Sequence, residues 1–247
     1  MTQQEQVADA MRANGGYATF NQLNKLVDFS GWETKTPEAS IRRIVQQSNE
    51  FFRIKPGLWA LTGSRNEVLS RFELKEPTAK KEETFNHSYY QGFIAEWGNL
   101  TKRKTYIPPQ DKGKKYVETP LEEIASVESL DKVNGEDEGY AFTYSNLLQS
   151  AKSVDVIWFN ERKLPNSFFE IEHTTDMQNS LSKFFELQDF YAGFYIVAPL
   201  SRKKLFDSKI GKSILKPIQS RVKFISYEDI QQKYESVYGY LALEQLL

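Results

Sequence analysis

Two strongly apolar segments lie close together in this chain and strongly constrain its fold. They are VDVIWFN (Val154–Asn160) and SFFEIEH (Ser167–His173), joined by ERKLPN, which has the composition of a turn. Because a strand alternates its side chains between two faces, Glu170 and Glu172 project together from the second segment, opposite the apolar residues beside them. The sequence therefore predicts an antiparallel hairpin within a sheet, with two carboxylates on one face.

A third carboxylate is expected at the same place. Pairing of the two strands brings Asp155 beside Glu170 and Glu172. Neither strand carries a lysine or arginine among its apolar residues, and unpaired buried carboxylates are costly, so we expect a divalent cation to neutralise them. Mg²⁺, for which Mn²⁺ can substitute, binds carboxylate oxygens and keeps several waters, one of which can become a nucleophile.

The surrounding pattern predicts two domains separated by a linker. Residues 1–62 read as three helices followed by two short strands, the order of a winged helix, and residues 63–86 have the polar composition of a linker. In residues 87–247 strands are first adjacent and later separated by helices, which predicts a mixed sheet. The expected fold class is therefore α/β (α+β).

Composition limits the possible partners. The 247 residues carry a net charge of −1, so contacts with nucleic acid have to come from local basic patches. There is no cysteine and no run of about 20 apolar residues, so we expect a cytoplasmic protein without disulfides or membrane spans. The candidate DNA-binding residues lie on the third helix, at the hairpin turn and in a basic segment interleaved with tyrosines: Arg42, Arg43, Lys55, Lys102, Lys104 and Lys112.

The order of these acidic residues resembles that of the PD-(D/E)XK, or restriction-endonuclease-like, nucleases. A helix with Glu96, a strand with Asp155 and a strand with Glu170-Ile171-Glu172 match the family's arrangement over roughly residues 86–227. The resemblance implies that Asp155, Glu170 and Glu96 bind metal and that all four carboxylates serve catalysis. Glu172 stands where the family pattern has lysine, a departure that is known within the family.

The N-terminal segment resembles a second family. TPEASIRRIVQ followed by FFRIKPGLWALT is similar to the HARE-HTH winged helices, which implies recognition of DNA by residues 1–62. Together the two resemblances imply a Mg²⁺-dependent endonuclease of the type II restriction kind that acts on double-stranded DNA. They also imply a homodimer, since both strands are cut, and a cognate DNA methyltransferase as a partner.

Several alternatives stay open. The chain could instead be a DNA-binding regulator or structural subunit whose nuclease-like domain no longer cuts, and the missing lysine favours this alternative. Cleavage of RNA is a third hypothesis. Among single residues, the acidic and basic side chains could all be solvated surface charges. Lys183, on the helix after the hairpin, is either a solvated residue or a basic group that has taken the place of the missing lysine.

Overall fold

The computed structural model describes residues 1–55, 57–74, 79–131, 142, 144–173 and 176–244, with side chains at all of these except 79–85, 235 and 237–244. Three of the predicted segments fall at least partly outside this range. They are Pro56 of the predicted turn, residues 75–78 of the predicted linker and residues 132–141 of the acidic region. The chain divides into two compact units, Met1–Thr78 with Glu228–Leu247, and Ala79–Tyr227.

The first unit contains the predicted helices and hairpin. Its elements are α1 (Gln3–Ala13), β1 (Tyr17–Thr19), α2 (Phe20–Leu26), α3 (Pro37–Gln47), β2 (Phe51–Lys55), β3 (Leu58–Leu61) and α4 (Arg65–Arg71). The three strands form an antiparallel sheet in the order β1-β3-β2. The helices pack on this sheet around a core that includes Met11, Leu23, Ile41 and Val45.

A capping box at α2 and a proline at α3 explain where these two helices begin. The Thr19 hydroxyl accepts a hydrogen bond from the backbone N–H of Gln22, and the Gln22 side chain accepts one from the Thr19 N–H, which is a complete capping box. Thr36 occupies the N-cap of α3 as expected, but its side chain makes no capping hydrogen bond. Pro37 fits the first position of α3 because that position needs no N–H donor.

The second unit is a mixed α/β domain, as the sequence predicts. Its elements in chain order are α5 (Ala79–Leu100), β4 (Lys104–Tyr106), β5 (Lys115–Tyr116), β6 (Thr119–Pro120), α6 (Leu121–Ile124), α7 (Ser145–Lys152), β7 (Val156–Phe159), β8 (Pro165–Ile171), α8 (Gln178–Glu186), β9 (Gly193–Ala198), α9 (Lys203–Ile210) and β10 (Val222–Ser226). Helix α10 (Tyr227–Glu244) follows. The segment predicted as a linker, residues 63–86, is partly helical. Helix α4 lies within it, and α5 begins inside it, eight residues before His87.

The central sheet places the predicted hairpin in its middle. Its order is β10-β9-β8-β7-β4, with β4 and β7 antiparallel to their neighbours and β8, β9 and β10 parallel to one another. One face packs against α8 and α9 through a core that includes Phe168, Phe184 and Phe194. Phe169 lies on the other face and packs on Trp158 and Tyr195. Both faces are therefore apolar around the carboxylates of β8.

Candidate active site

The hairpin register places Asp155 beside Glu170. Val156 pairs with Phe169 and Ile157 with Phe168, so the residue before β7 lies next to the residue after Phe169. Asp155 directly precedes β7 rather than lying within it, and its Oδ2 accepts a 2.7 Å hydrogen bond from the backbone N–H of Ile171. This bond fixes the Asp155 carboxylate at the end of β8.

Glu170 and Glu172 project from the same face of β8, as predicted from the strand period. Glu170 is 3% exposed and Glu172 4%. The Ser180 hydroxyl on α8 lies 2.8 Å from Oε2 of Glu170 and also contacts Oε1 of Glu172. A hydroxyl carries one proton, so Ser180 donates to one carboxylate at a time, and a second proton is needed to satisfy both contacts.

Lys183 provides a positive charge to this buried pair. Its ammonium donates to Oε1 and Oε2 of Glu170, both at 2.9 Å, and to the backbone oxygen of Ser153 at 2.7 Å. Of the two alternatives left open for Lys183, the structure favours a basic group that contacts the carboxylates over a solvated side chain. The strands carry no lysine, but α8 runs beside them and Lys183 lies one turn after Ser180, so both side chains reach the same face.

The pKa of Glu170 reflects its surroundings. Burial and the charge of Asp155 raise the pKa of this carboxyl to about 8, more than Lys183 and Ser180 lower it. A protonated Glu170 could donate to Ser180, which would then donate to Glu172, so the raised pKa accounts for the missing proton. Burial lowers the pKa of Lys183, but the charges of Glu170, Asp155 and Glu172 outweigh burial and raise it above its ordinary value.

Helix α5 contributes polar residues that sequence reasoning did not assign to the site. His87 Nε2 lies 3.4 Å from Oδ2 of Asp155, and its pKa is raised because this contact outweighs the effect of burial. One turn later, Gln91 donates to the backbone oxygen of Asp155 at 3.0 Å and to the buried carboxylate of Asp111 at 2.8 Å. The i, i+4 spacing of His87 and Gln91 indicates in the sequence that both lie on one face of the helix, but not that this face meets Asp155.

Glu96 lies farther along α5, where its Oε2 accepts a 3.3 Å hydrogen bond from the Tyr116 hydroxyl. Gln91 and Glu96 are five residues apart, about 140° around the helix, so they do not share a face. Within the part of the chain that the structure describes, no group of three or more His, Asp or Glu side chains is arranged to hold a metal ion. The acidic pair that the structure brings together at the strand ends is Asp155 and Glu170.

The predicted DNA-binding residues occupy varied environments. Arg43 is exposed on α3, whereas the Arg42 guanidinium packs over the ring of Phe20, 5.6 Å from its centroid. Lys102 and Lys104 are exposed after the end of α5. The Lys112 ammonium donates to the backbone oxygen of Glu128 at 2.7 Å, so it already has a partner within the protein. Lys55 is half-buried at the end of β2.

The described residues contain no helix that is both long and apolar enough to cross a membrane.

Comparison with known proteins points to restriction enzymes. The family model of the type II restriction enzyme NmeDI C-terminal domain matches residues 68–239. The type II restriction enzyme NmeDI of Neisseria meningitidis serogroup C is 29% identical over 109 residues, which cover 42% of this chain and 30% of NmeDI. The chain thus aligns with less than a third of that relative. No solved structure matches significantly.

Proposed function

The chain belongs to the family of the type II restriction enzyme NmeDI C-terminal domain, and from this premise we propose that it is a Mg²⁺-dependent endonuclease that hydrolyses phosphodiester bonds of double-stranded DNA. The single observation that supports this most is the group formed by buried Glu170 and partly buried Asp155 and Lys183 at the end of the central hairpin. Paired acids beside a lysine provide both metal ligands and a positive charge for a phosphate.

The donor set fits a hard divalent cation. Mg²⁺ is usually bound by one or two carboxylates together with waters and substrate phosphates, and Asp155 and Glu170 would supply the two carboxylates. The charge of Asp155 raises the pKa of Glu170, so a cation between them would relieve the repulsion that the protein otherwise carries. When bound, the ion would lower the pKa of a coordinated water and stabilise negative charge on phosphate oxygens.

The remaining residues have separate proposed roles. Lys183 would stabilise the charge that develops on the phosphate, which is the role the family pattern gives to the lysine that Glu172 replaces. Glu172 would bind metal or position the attacking water through its contact with Ser180. The resemblance to PD-(D/E)XK nucleases implies a metal-binding role for Glu96, but its contact with Tyr116 lies on a different face of α5 from Gln91, so we do not assign Glu96 to this metal site.

The first unit would bind the duplex. Its helix order and antiparallel sheet are compatible with a winged helix, in which α3 would lie in the major groove with Arg43 toward the DNA. Lys55 of this unit would contact phosphates, with Arg42 supporting α3 from its position over Phe20. Lys102, Lys104 and Lys112, which belong to the second unit, are proposed to contact phosphates as well. A homodimer would allow both strands to be cut, and a methyltransferase of matching specificity would protect the host DNA.

Cleavage of plasmid DNA tests the proposal. The wild-type chain should nick or linearise plasmid with Mg²⁺ and do neither with EDTA. Asp155→Ala and Glu170→Ala should each reduce the rate by at least about 100-fold, because each removes a proposed metal ligand. Glu186→Ala, which removes an exposed carboxylate from α8, is the matched control and should retain the wild-type rate.

Substrates should include DNA with modified bases, because the target sequence is not readable from the chain. A wild-type chain that binds duplex DNA but cuts no substrate would favour the alternative of a DNA-binding regulator or structural subunit. Cleavage that survives both alanine substitutions would instead place the site elsewhere.

A further inference from the structure

A short segment of the second unit holds a large share of the positive charge of the chain. Between Arg202 and Lys223 there are eight lysine and arginine residues, a quarter of the 32 in the sequence, and one acidic residue, Asp207. The whole chain has a net charge of −1. This local excess is the kind of patch through which a protein without overall positive charge can attract a polyanion.

Side chains of this segment contact residues that lie between Glu172 of the hairpin and Ser180 of α8. Arg202 donates to the backbone oxygen of His173 at 2.9 Å. The Lys209 ammonium lies 3.0 Å from a carboxylate oxygen of Asp176, and that of Lys212 donates to the side chain of Gln178 at 3.2 Å. All three acceptors lie between Glu172 and Ser180, so basic side chains border the candidate active site.

Some of the eight charges are used within the fold. Arg221 donates to the backbone oxygens of Gln188, Phe190 and Ala192. Lys203 forms an ion pair with Asp207 and lies over an aromatic ring. These two residues hold the segment in place and are not expected to serve as ligands for an external partner.

Other charges face solvent. Lys204 and Lys212 are exposed, and the side chain of Lys209 remains 23% exposed despite its ion pair. Lys204 and Lys209 on α9, with Lys212 just after it, are together what we term the α9 basic surface. Lys204 and Lys209 are about 140° apart around the helix, so this surface extends around α9 and does not follow a single face. Lysine acts toward phosphate as a mobile point charge, so such a surface can follow a sugar-phosphate backbone without reading its sequence.

We infer that the α9 basic surface binds backbone phosphates of duplex DNA beside the candidate active site. The inference rests on the proposed function, because it identifies how DNA would be held at those carboxylates. Duplex DNA is the polyanion that the proposed function would bring to this surface. The carboxylates of Glu170 and Glu172 repel a phosphate, and adjoining lysines would offset that repulsion.

Binding of the full chain to a duplex, measured by fluorescence anisotropy at several salt concentrations without divalent metal, tests this inference. Lys204→Gln with Lys212→Gln removes two exposed charges of the surface. If each contacts a phosphate, affinity should fall about tenfold or more near 0.1 M salt, and the slope of log K against log salt should become shallower by roughly 2.

The matched control is Arg162→Gln with Lys163→Gln. These exposed residues lie in the turn between β7 and β8, at the opposite end of β8 from Glu170. The control removes the same charge and should retain a salt slope closer to that of the wild type. Thermal unfolding of all three proteins shows whether either double variant is misfolded, and the single variant Lys204→Gln then serves as the second test.

The outcomes separate the inference from the proposed function. A selective loss of affinity and salt slope supports the α9 basic surface, even if the wild-type chain cuts no DNA and the proposed nuclease activity fails. Wild-type affinity and slope in Lys204→Gln/Lys212→Gln would overturn the inference, even if the chain cleaves DNA. Equal losses in the two double variants would also overturn it, since they would reflect net charge alone.

Discussion

At the residue scale, the strands contribute carboxylates to the candidate site, and the sequence predicts them. It does not predict the contribution of Ser180 and Lys183, which both lie on α8. The period of a strand predicts that Glu170 and Glu172 share a face, and the hairpin predicts that Asp155 joins them. The contacts of Ser180 and Lys183 could not be derived in this way, because the angle at which α8 crosses the sheet depends on how Leu181 and Phe184 pack. The sequence therefore does not decide whether Lys183 is solvated or belongs to the site. In the structure its ammonium donates two hydrogen bonds to Glu170.

Substitution of Lys183 tests its role at the site. Lys183→Gln removes the positive charge next to Glu170 and leaves that buried carboxylate without its ionic partner. We expect Mg²⁺-dependent cleavage to fall by about 100-fold or more, as typically follows loss of one electrostatic stabiliser. Lys183→Arg is the control, since it preserves the charge, and it should retain more activity than Lys183→Gln in the same plasmid assay. Equal rates for wild type and Lys183→Gln would exclude a catalytic function of this lysine.

The raised pKa of Glu170 predicts how stability depends on pH. In the folded protein the pKa of Glu170 is about 8, whereas its ordinary value is 4.5, so folding favours the protonated form of this carboxyl. This contribution to the free energy of unfolding is fully present below pH 4.5 and is lost as pH rises through about 8. Glu170→Gln imitates the protonated carboxyl and should not show this loss.

Urea unfolding of wild type and Glu170→Gln at pH 5.5 and pH 8.5, without divalent metal, measures the difference. The free energy of unfolding of Glu170→Gln relative to wild type should increase by roughly 1 kcal/mol or more between these pH values. A difference that does not change with pH would show that Glu170 titrates near its ordinary value. Because the charge of Glu170 also raises the pKa of Lys183, the comparison measures the linked titration of this ion pair.

At the element scale, the position of α5 decides which polar groups reach Asp155. Sequence pattern predicts a helix here with an apolar side, but it does not show how closely the helix approaches the strands. A Cβ added at Gly92 would overlap the side chains of Tyr116 and Leu121, so the helix can lie this close only with glycine at that position. Gly92 therefore sets how closely α5 lies against β5 and α6, while His87 and Gln91 of the same helix contact Asp155.

Gly92→Ala tests this close packing. Alanine favours a helix by about 1 kcal/mol over glycine, whereas forcing atoms into a packed site typically costs 1–3 kcal/mol, so we expect net destabilisation. The melting temperature should fall, and the displaced helix should also reduce cleavage. Gly113→Ala is the control because no heavy atom lies within 4 Å of its added Cβ. An unchanged or higher melting temperature in Gly92→Ala would show that α5 tolerates the added methyl group.

At the scale of the whole molecule, the fold class agrees with the sequence prediction, and the family match supports the coarser part of the predicted identity, a restriction-enzyme family. The family match covers residues 68–239, which contain the carboxylate hairpin and the α9 basic surface. Sequence reasoning focused on the lysines near Lys102 and did not use the larger excess between Arg202 and Lys223. The structure shows where this excess of positive charge lies, because Arg202, Lys209 and Lys212 contact the segment that follows Glu172.

The proposed DNA contact of the first unit gives a separate prediction. Arg43→Gln with Lys55→Gln should weaken binding to duplex DNA and make its salt dependence shallower by roughly 2, if both residues contact phosphates. Lys25→Gln, an exposed lysine of α2, is the single-charge control and should have little effect. Anisotropy titrations of full-length proteins measure both quantities. Unchanged binding in the double variant would remove the support for DNA recognition through these two residues.

The central claim is that Asp155 and Glu170 form a divalent metal site, and its most direct test is anomalous scattering from crystals soaked in Mn²⁺. We predict a Mn²⁺ peak between the two carboxylates, with Lys183 displaced from at least one oxygen of Glu170. The same soak of Asp155→Ala should reduce or abolish the peak. Mn²⁺ bound at other residues, with Lys183 still bonded to both oxygens of Glu170 and no density between Glu170 and Asp155, would contradict the claim.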